Sequence, residues 1–167
     1  SITSKNLSTT NRIDLTKQEA LIFKSWTNTE PGMLPALYVE PFEEGTRVWI
    51  HAPSVSERIT LSGRLGDWLK SRGESICLGD KWRNLLNNEL IESSSFKKGS
   101  INEAISLSIE LDNSANIKNW EFFLTRIKPT AIVNAKELEA IANRKPNTKS
   151  IPILLKPLKE NINQIQS

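Results

Sequence analysis

The chain has 167 residues, 38% of them apolar and 25% charged, which fits one domain with its own core and excludes a disordered polyelectrolyte. Its net charge of +3, from 22 basic and 19 acidic side chains, is too small to announce a nucleic-acid binder by itself. A single cysteine, Cys77, and a single histidine, His51, exclude an internal disulfide and a Cys/His zinc site, and no run approaches the roughly 18 apolar residues of a membrane-spanning helix.

In chain order, residues 1–11 are rich in Ser, Thr and Asn without apolar pattern and read as a loose lead-in to one domain over 12–167. Ala20 to Trp26 is an apolar, strand-like run. Ala36 to Glu40 follows the break at Pro31, Gly32 and Pro35, and Thr46 to Ala52 alternates after Glu44-Gly45, so both read as strands. Leu65 to Ile76 and Lys81 to Ile91 repeat apolar residues at helical spacing (Leu65, Trp68, Leu69; Trp82, Leu85, Leu86, Leu90), which predicts two helices. Glu92 to Gly99 reads as a loop. Ile101 to Leu111 and Ile117 to Ile127 alternate on either side of Asp112-Asn113-Ser114-Ala115-Asn116, the plainest hairpin of the chain. Asn134 is placed to cap a helix carrying Leu138, Ile141 and Ala142, and Ile153 to Ile165 is a last amphipathic segment. The expected fold class is α+β, a mixed, mostly antiparallel sheet flanked by helices.

Few residues declare chemistry unaided. There is no Gly-rich phosphate loop. A Ser/His/Asp arrangement would have to use His51, and a lone strand histidine reads as structural. Glu43-Glu44, beside a turn, reads as solvated. Trp26, Trp49, Trp68, Trp82 and Trp120 could stack on bases, but four of the five fall on apolar faces and are expected in the core. From Lys128 onward seven Lys/Arg stand against three Glu, a basic bias of the kind that contacts phosphate, although a solvated helix surface is its more ordinary meaning. The default setting of such a chain is cytoplasmic. Ser1 rather than Met opens it, which leaves room for a longer parent.

Three segments, taken in order, resemble the front half of the ribonuclease II-type (RNB) exoribonuclease domain. Arg12-Ile13-Asp14-Leu15-Thr16 is similar to the family's opening phrase. Laid on the aspartate run that follows it in the family, without gaps, the four metal-binding positions fall on Lys24, Glu30, Gly32 and Met33. The stretch from Arg47 to Ser56, then Leu65, then Arg72-Gly73-Glu74-Ser75-Ile76-Cys77, resembles the family's strand and R-G-x-S-V-Y phrase, with Cys77 where the family has a tyrosine against the terminal RNA bases. Ala104 through Arg126-Ile127-Lys128 resembles a third phrase, which ends in an active-site tyrosine; here Ala135 stands there.

The resemblance implies an RNB-like fold over Arg12 to about Ile165 and a Mg²⁺-dependent 3′-to-5′ exoribonuclease ancestry. It does not imply a working site. Mg²⁺ takes oxygen ligands, and of Lys24, Glu30, Gly32 and Met33 only Glu30 offers a carboxylate, so no metal or other cofactor is expected. Cys77 and Ala135 remove two of the family's aromatics. The expected function is that of a degenerate or truncated relative that at most binds single-stranded RNA weakly. Lys24, Lys128 and the Cys77 position are the candidate contacts, and Arg12, Asp14, Arg72, Gly73 and Ser75 serve the fold. The missing second half of a longer chain is an expected partner. The alternatives are a piece of an active exoribonuclease and a structural or protein-interaction domain.

Overall fold

The computed structural model describes residues 11–24, 33–59, 63–79 and 81–134, the side chains of Cys77 and Trp82 excepted. Seven strands form one sheet in the order β1-β8-β7-β4-β3-β2-β9: β1 (Ile13–Leu15), β2 (Leu21–Phe23), β3 (Ala36–Phe42), β4 (Gly45–Pro53), β7 (Asn102–Leu111), β8 (Ile117–Ile127) and β9 (Ala131–Val133). Helix α1 (Arg64–Arg72), a separate two-stranded pair β5 (Ile76–Leu78) and β6 (Lys81–Arg83), and helix α2 (Asn88–Ser94) lie between β4 and β7. The expected mixed sheet with flanking helices is therefore the fold. The long ladders β3·β4, β4·β7 and β7·β8 are antiparallel, and only the short pairs β1·β8 and β2·β9 are parallel.

The sheet cannot be flat. β8 and β9 are five strand spacings apart in its order, at least about 24 Å across a flat sheet. The link from Ile127 to Ala131 spans four residue steps, about 14 Å at full stretch. The sheet must curl to bring its two margins together, and Thr130 N–H donating to Ala20 O at 2.9 Å ties the link in place.

Alternation gives one face its buried small residues. By register Ala36, His51 and Ser106 stand side by side, as do Pro53, Ala104 and Thr125. Ala36, Ala104, Ile22 and Ile127 join Ala20 and Phe96 in the core, with Leu15, Leu34 and Tyr38 against it. The β7–β8 turn is held by Asp112, whose Oδ1 accepts the Ser114 and Asn116 N–H groups at 2.9 Å each, while Ala115 takes φ 61°. At the β3–β4 turn a glycine is required at 45, where a Cβ would stand 1.9 Å from Leu111 O.

Two expectations are corrected. The helix over Lys81 to Ile91 is instead strand β6, a bend and then α2, which begins only where the Asn87 side chain caps the Leu90 N–H at 2.9 Å. The helix over Leu65 to Ile76 stops at Arg72, because Gly73 takes φ 76° and returns its N–H to Leu69 O, and Ile76 belongs to β5. α2 in turn claims Glu92 to Ser94 from the expected loop. The helix expected after Asn134, the segment Ile153 to Ile165, most of the basic tail and residues 1–10 lie outside the described residues.

Candidate functional site

β2 is three residues long and is held from both sides, by β3 antiparallel and by β9 parallel. This places three distant stretches of sequence at one end of the sheet. Lys24 follows β2, and its N–H donates to Val133 O at 2.8 Å; Phe23 N–H donates to Pro35 O at 3.1 Å. Because Phe23 pairs with Val133, Lys24 comes beside Asn134 at the end of β9. Met33, half-buried, stands just before β3. Lys24, Met33 and Asn134 thus gather at this end, an ammonium, a thioether and an amide. Glu30, Gly32 and Ala135 lie outside the described residues. Among the described residues no three His, Cys, Asp or Glu side chains group as metal ligands.

Arg12 is a clamp. Its side chain is 2% exposed, and the guanidinium pairs with Glu57 and Glu103 and donates to Ala104 O and Thr125 O at 3.3 Å each. It thereby ties the entry to β1 to the turn after β4 and to strands β7 and β8. Asp14 is exposed; the Thr16 hydroxyl and then the Thr16 N–H hold its carboxyl below the ordinary value. Ser75 Oγ accepts the Leu85 N–H at 2.9 Å, which fixes the bend between β6 and α2. Arg72 is exposed and sits over the Trp68 ring, 5.1 Å from its centroid. Lys128 is exposed just after β8, and Cys77 occupies the middle of β5, its side chain outside the described atoms.

His51 is fully buried and contributes to a polar relay across three strands. Its Nδ1 lies 2.7 Å from Ser106 Oγ, which lies 2.6 Å from Thr125 Oγ1. Trp49 stacks beside it at 6.2 Å, and Nε2 is buried without a partner among the described residues. Burial pushes the imidazole pKa down to about 4, so it is neutral at physiological pH. A neutral imidazole sealed from solvent holds the sheet together and does not meet substrate.

The tryptophans depart from the expectation of core packing. Trp49 is buried, but Trp68 and Trp120 are 43% and 60% exposed, and Trp120 meets the equally exposed Phe122 edge to face at 5.9 Å. Helical or alternating spacing predicts which residues share a face, not what covers it, and no sequence signal marked these rings as exposed. Trp26 and the Trp82 side chain lie outside the described residues.

The sequence profile of the RNB domain matches residues 12–167. No curated protein sequence matches the chain. Among solved structures it is similar to Mycoplasma genitalium RNase R in complex with double-stranded RNA (TM-score 0.81, 19% identity, 99% of this chain and 30% of that one). The same enzyme in complex with ribose-methylated single-stranded RNA gives TM-score 0.81 at 18% identity, over 99% of this chain and 26% of that one. Yeast Ssd1, a pseudonuclease, gives 0.72 at 18% identity, over 98% of this chain and 20% of that one. The chain spans less than a third of the length of each.

Proposed function

The chain belongs to the RNB domain family, and from that premise we propose that it is a non-catalytic member whose remaining capacity is weak binding of single-stranded RNA. The observation that carries the reading is the chemistry at the shared end of β2, β3 and β9. The positions that the resemblance aligns with the family's metal-binding aspartates carry Lys24, Gly32 and Met33, and only Glu30 keeps a carboxylate. A hard divalent cation needs oxygen ligands to bind, to activate water and to neutralise a phosphodiester in attack. An ammonium repels it and a thioether binds it poorly, so these residues do not fit the ion. The same change favours phosphate: a cation replaces an anion where the backbone of an RNA would pass.

Two relatives support the two halves of the reading. Ssd1 is a pseudonuclease on this fold, and RNase R is solved with RNA. The experiment incubates the purified chain with end-labelled single-stranded RNA and Mg²⁺ or Mn²⁺, and titrates the same RNA at two salt concentrations. The expected result is no shortening of the RNA, and binding of micromolar strength or weaker that falls steeply as salt rises and shows no base preference. Stepwise shortening that a chelator abolishes would refute the non-catalytic half. Absence of binding at low salt would refute the other half and leave a structural or interaction domain.

A further inference from the structure

The segment from Gly63 to Arg83 leaves apolar side chains uncovered. α1 buries only Gly66, and Leu65, Trp68, Ile76 and Leu78 are exposed by 43% to 58%. The same segment concentrates charge. Five cations (Arg64, Lys70, Arg72, Lys81, Arg83) stand against three carboxylates, whereas the chain as a whole is nearly balanced at 22 to 19.

The arrangement on α1 is more specific than the count. Arg64, Trp68 and Arg72 follow one another at intervals of four residues, so their backbone positions form one stripe along the helix, an arginine about 6 Å along the axis on each side of the tryptophan. Arg72 sits 5.1 Å from the Trp68 ring centroid, and the tryptophan is still 43% exposed. An exposed ring flanked by cations is what an unpaired nucleotide recognises: the base stacks on the ring and the neighbouring phosphates meet the guanidinium groups. The other exposed aromatic pair lacks this arrangement. Trp120 and Phe122 share their face of β8 with one nearby cation, Lys118, while Glu121 points to the other face, and among the described residues no guanidinium lies over either ring as Arg72 lies over Trp68.

We infer that the Arg64–Trp68–Arg72 stripe of α1 is a contact for single-stranded RNA, with Trp68 as the base platform. The inference rests on the RNA-binding reading above and gives it an aromatic surface separate from the family position at Cys77.

The test is a fluorescence-anisotropy titration of a labelled oligouridylate of about twelve nucleotides with the whole chain and its Trp68→Ala, Trp68→Phe, Arg64→Gln and Trp120→Ala variants. Each variant is first checked for wild-type circular dichroism. Trp68→Ala is expected to weaken binding roughly tenfold, Trp68→Phe to retain most of it, and Trp120→Ala to leave it unchanged. Arg64→Gln is expected to lower the slope of log affinity on log salt by about one unit; if Trp68→Ala proves misfolded, Trp68→Phe and Arg64→Gln decide. Wild-type binding with every α1 variant unchanged would overturn this inference alone and place the RNA elsewhere. Absence of wild-type binding at low salt would overturn the RNA reading and this inference with it. Equal loss in Trp120→Ala, or displacement of the RNA by polyglutamate at equal charge, would also overturn it, the latter by reassigning the stripe to acidic polypeptides.

Discussion

His51 Nδ1 stands 2.7 Å from Ser106 Oγ across the β4–β7 ladder, in a place no solvent reaches. The pair matters through what the imidazole must not do, which is take up a proton. Its pKa is about 4 in the fold against an ordinary 6.5. Above pH 6.5 neither folded nor unfolded chain protonates it. As pH falls from there toward 4, the unfolded chain takes the proton and the folded one resists, so stability is lost across that window, by up to about 3 kcal/mol. Urea unfolding at about pH 7 and about pH 4.5 measures it. His51→Gln should lack this part of the slope, whatever its stability at neutral pH; an equal slope in both proteins would count against the relay.

Arg12→Ala should cost roughly 2–4 kcal/mol, since it strands Glu57, Glu103 and two backbone carbonyls that the guanidinium now serves. Arg12→Lys should recover little of that, because a point-like ammonium cannot reach four acceptors in a planar fork. Chemical denaturation of the two variants reads this directly, and a loss below about 1 kcal/mol for Arg12→Ala would mean the clamp is idle.

The glycines separate close approach from dihedral strain. Gly45→Ala places a Cβ against the Leu111 carbonyl and should cost roughly 3 kcal/mol or disrupt the β4–β7 ladder. Gly73→Ala meets open space but must hold φ 76° with ψ −39°, a strained turn outside the left-handed helical well, so it should cost roughly 1–3 kcal/mol without disturbing a ladder. Their order in urea midpoint is the measurement.

Lys24→Asp restores a carboxylate at one family metal position only. It should weaken RNA binding about threefold at low salt, converge on wild type at high salt and create no nuclease. Anisotropy and a labelled-RNA cleavage assay check both outcomes.

The sequence made some of this legible and hid the rest for physical reasons. β7 and β8 were plain because each is long, alternates, and meets the other at an Asp-anchored turn. The end of α1 was hidden only from the apolar spacing; Gly73 marked it. β6 was misread because Trp82, Leu85 and Leu86 satisfy a helical spacing that Ser75 and Asn87 interrupt through their side chains. β1, β2 and β9 are three residues each, too short for any period, and are strands only because partners come to them. The gathering of Lys24, Met33 and Asn134 follows from those pairings, so local pattern could not announce it and resemblance alone pointed there. Leu65, Trp68 and Leu69 carry the spacing of a core-facing helix, yet Leu65 and Trp68 are exposed, because spacing fixes a shared face and not what covers it.

The parallel pairing of β1 with β8 also sets an order of events during synthesis. Arg12 bonds to Thr125, 113 residues further on, and Ile13 to Leu15 pair with the same short stretch of β8. The earliest strand of the sheet therefore waits, unpaired, until almost all of the described chain has left the ribosome. β3, β4, β7 and β8 can join by antiparallel neighbour pairing before it, and β2 needs only β3 to begin. Closing so long a loop is slow, so the arrival of β1 and the locking of Arg12, like the docking of β9 on β2, are expected late in folding, and an interrupted chain lacking β8 leaves β1 and Arg12 without a place to dock.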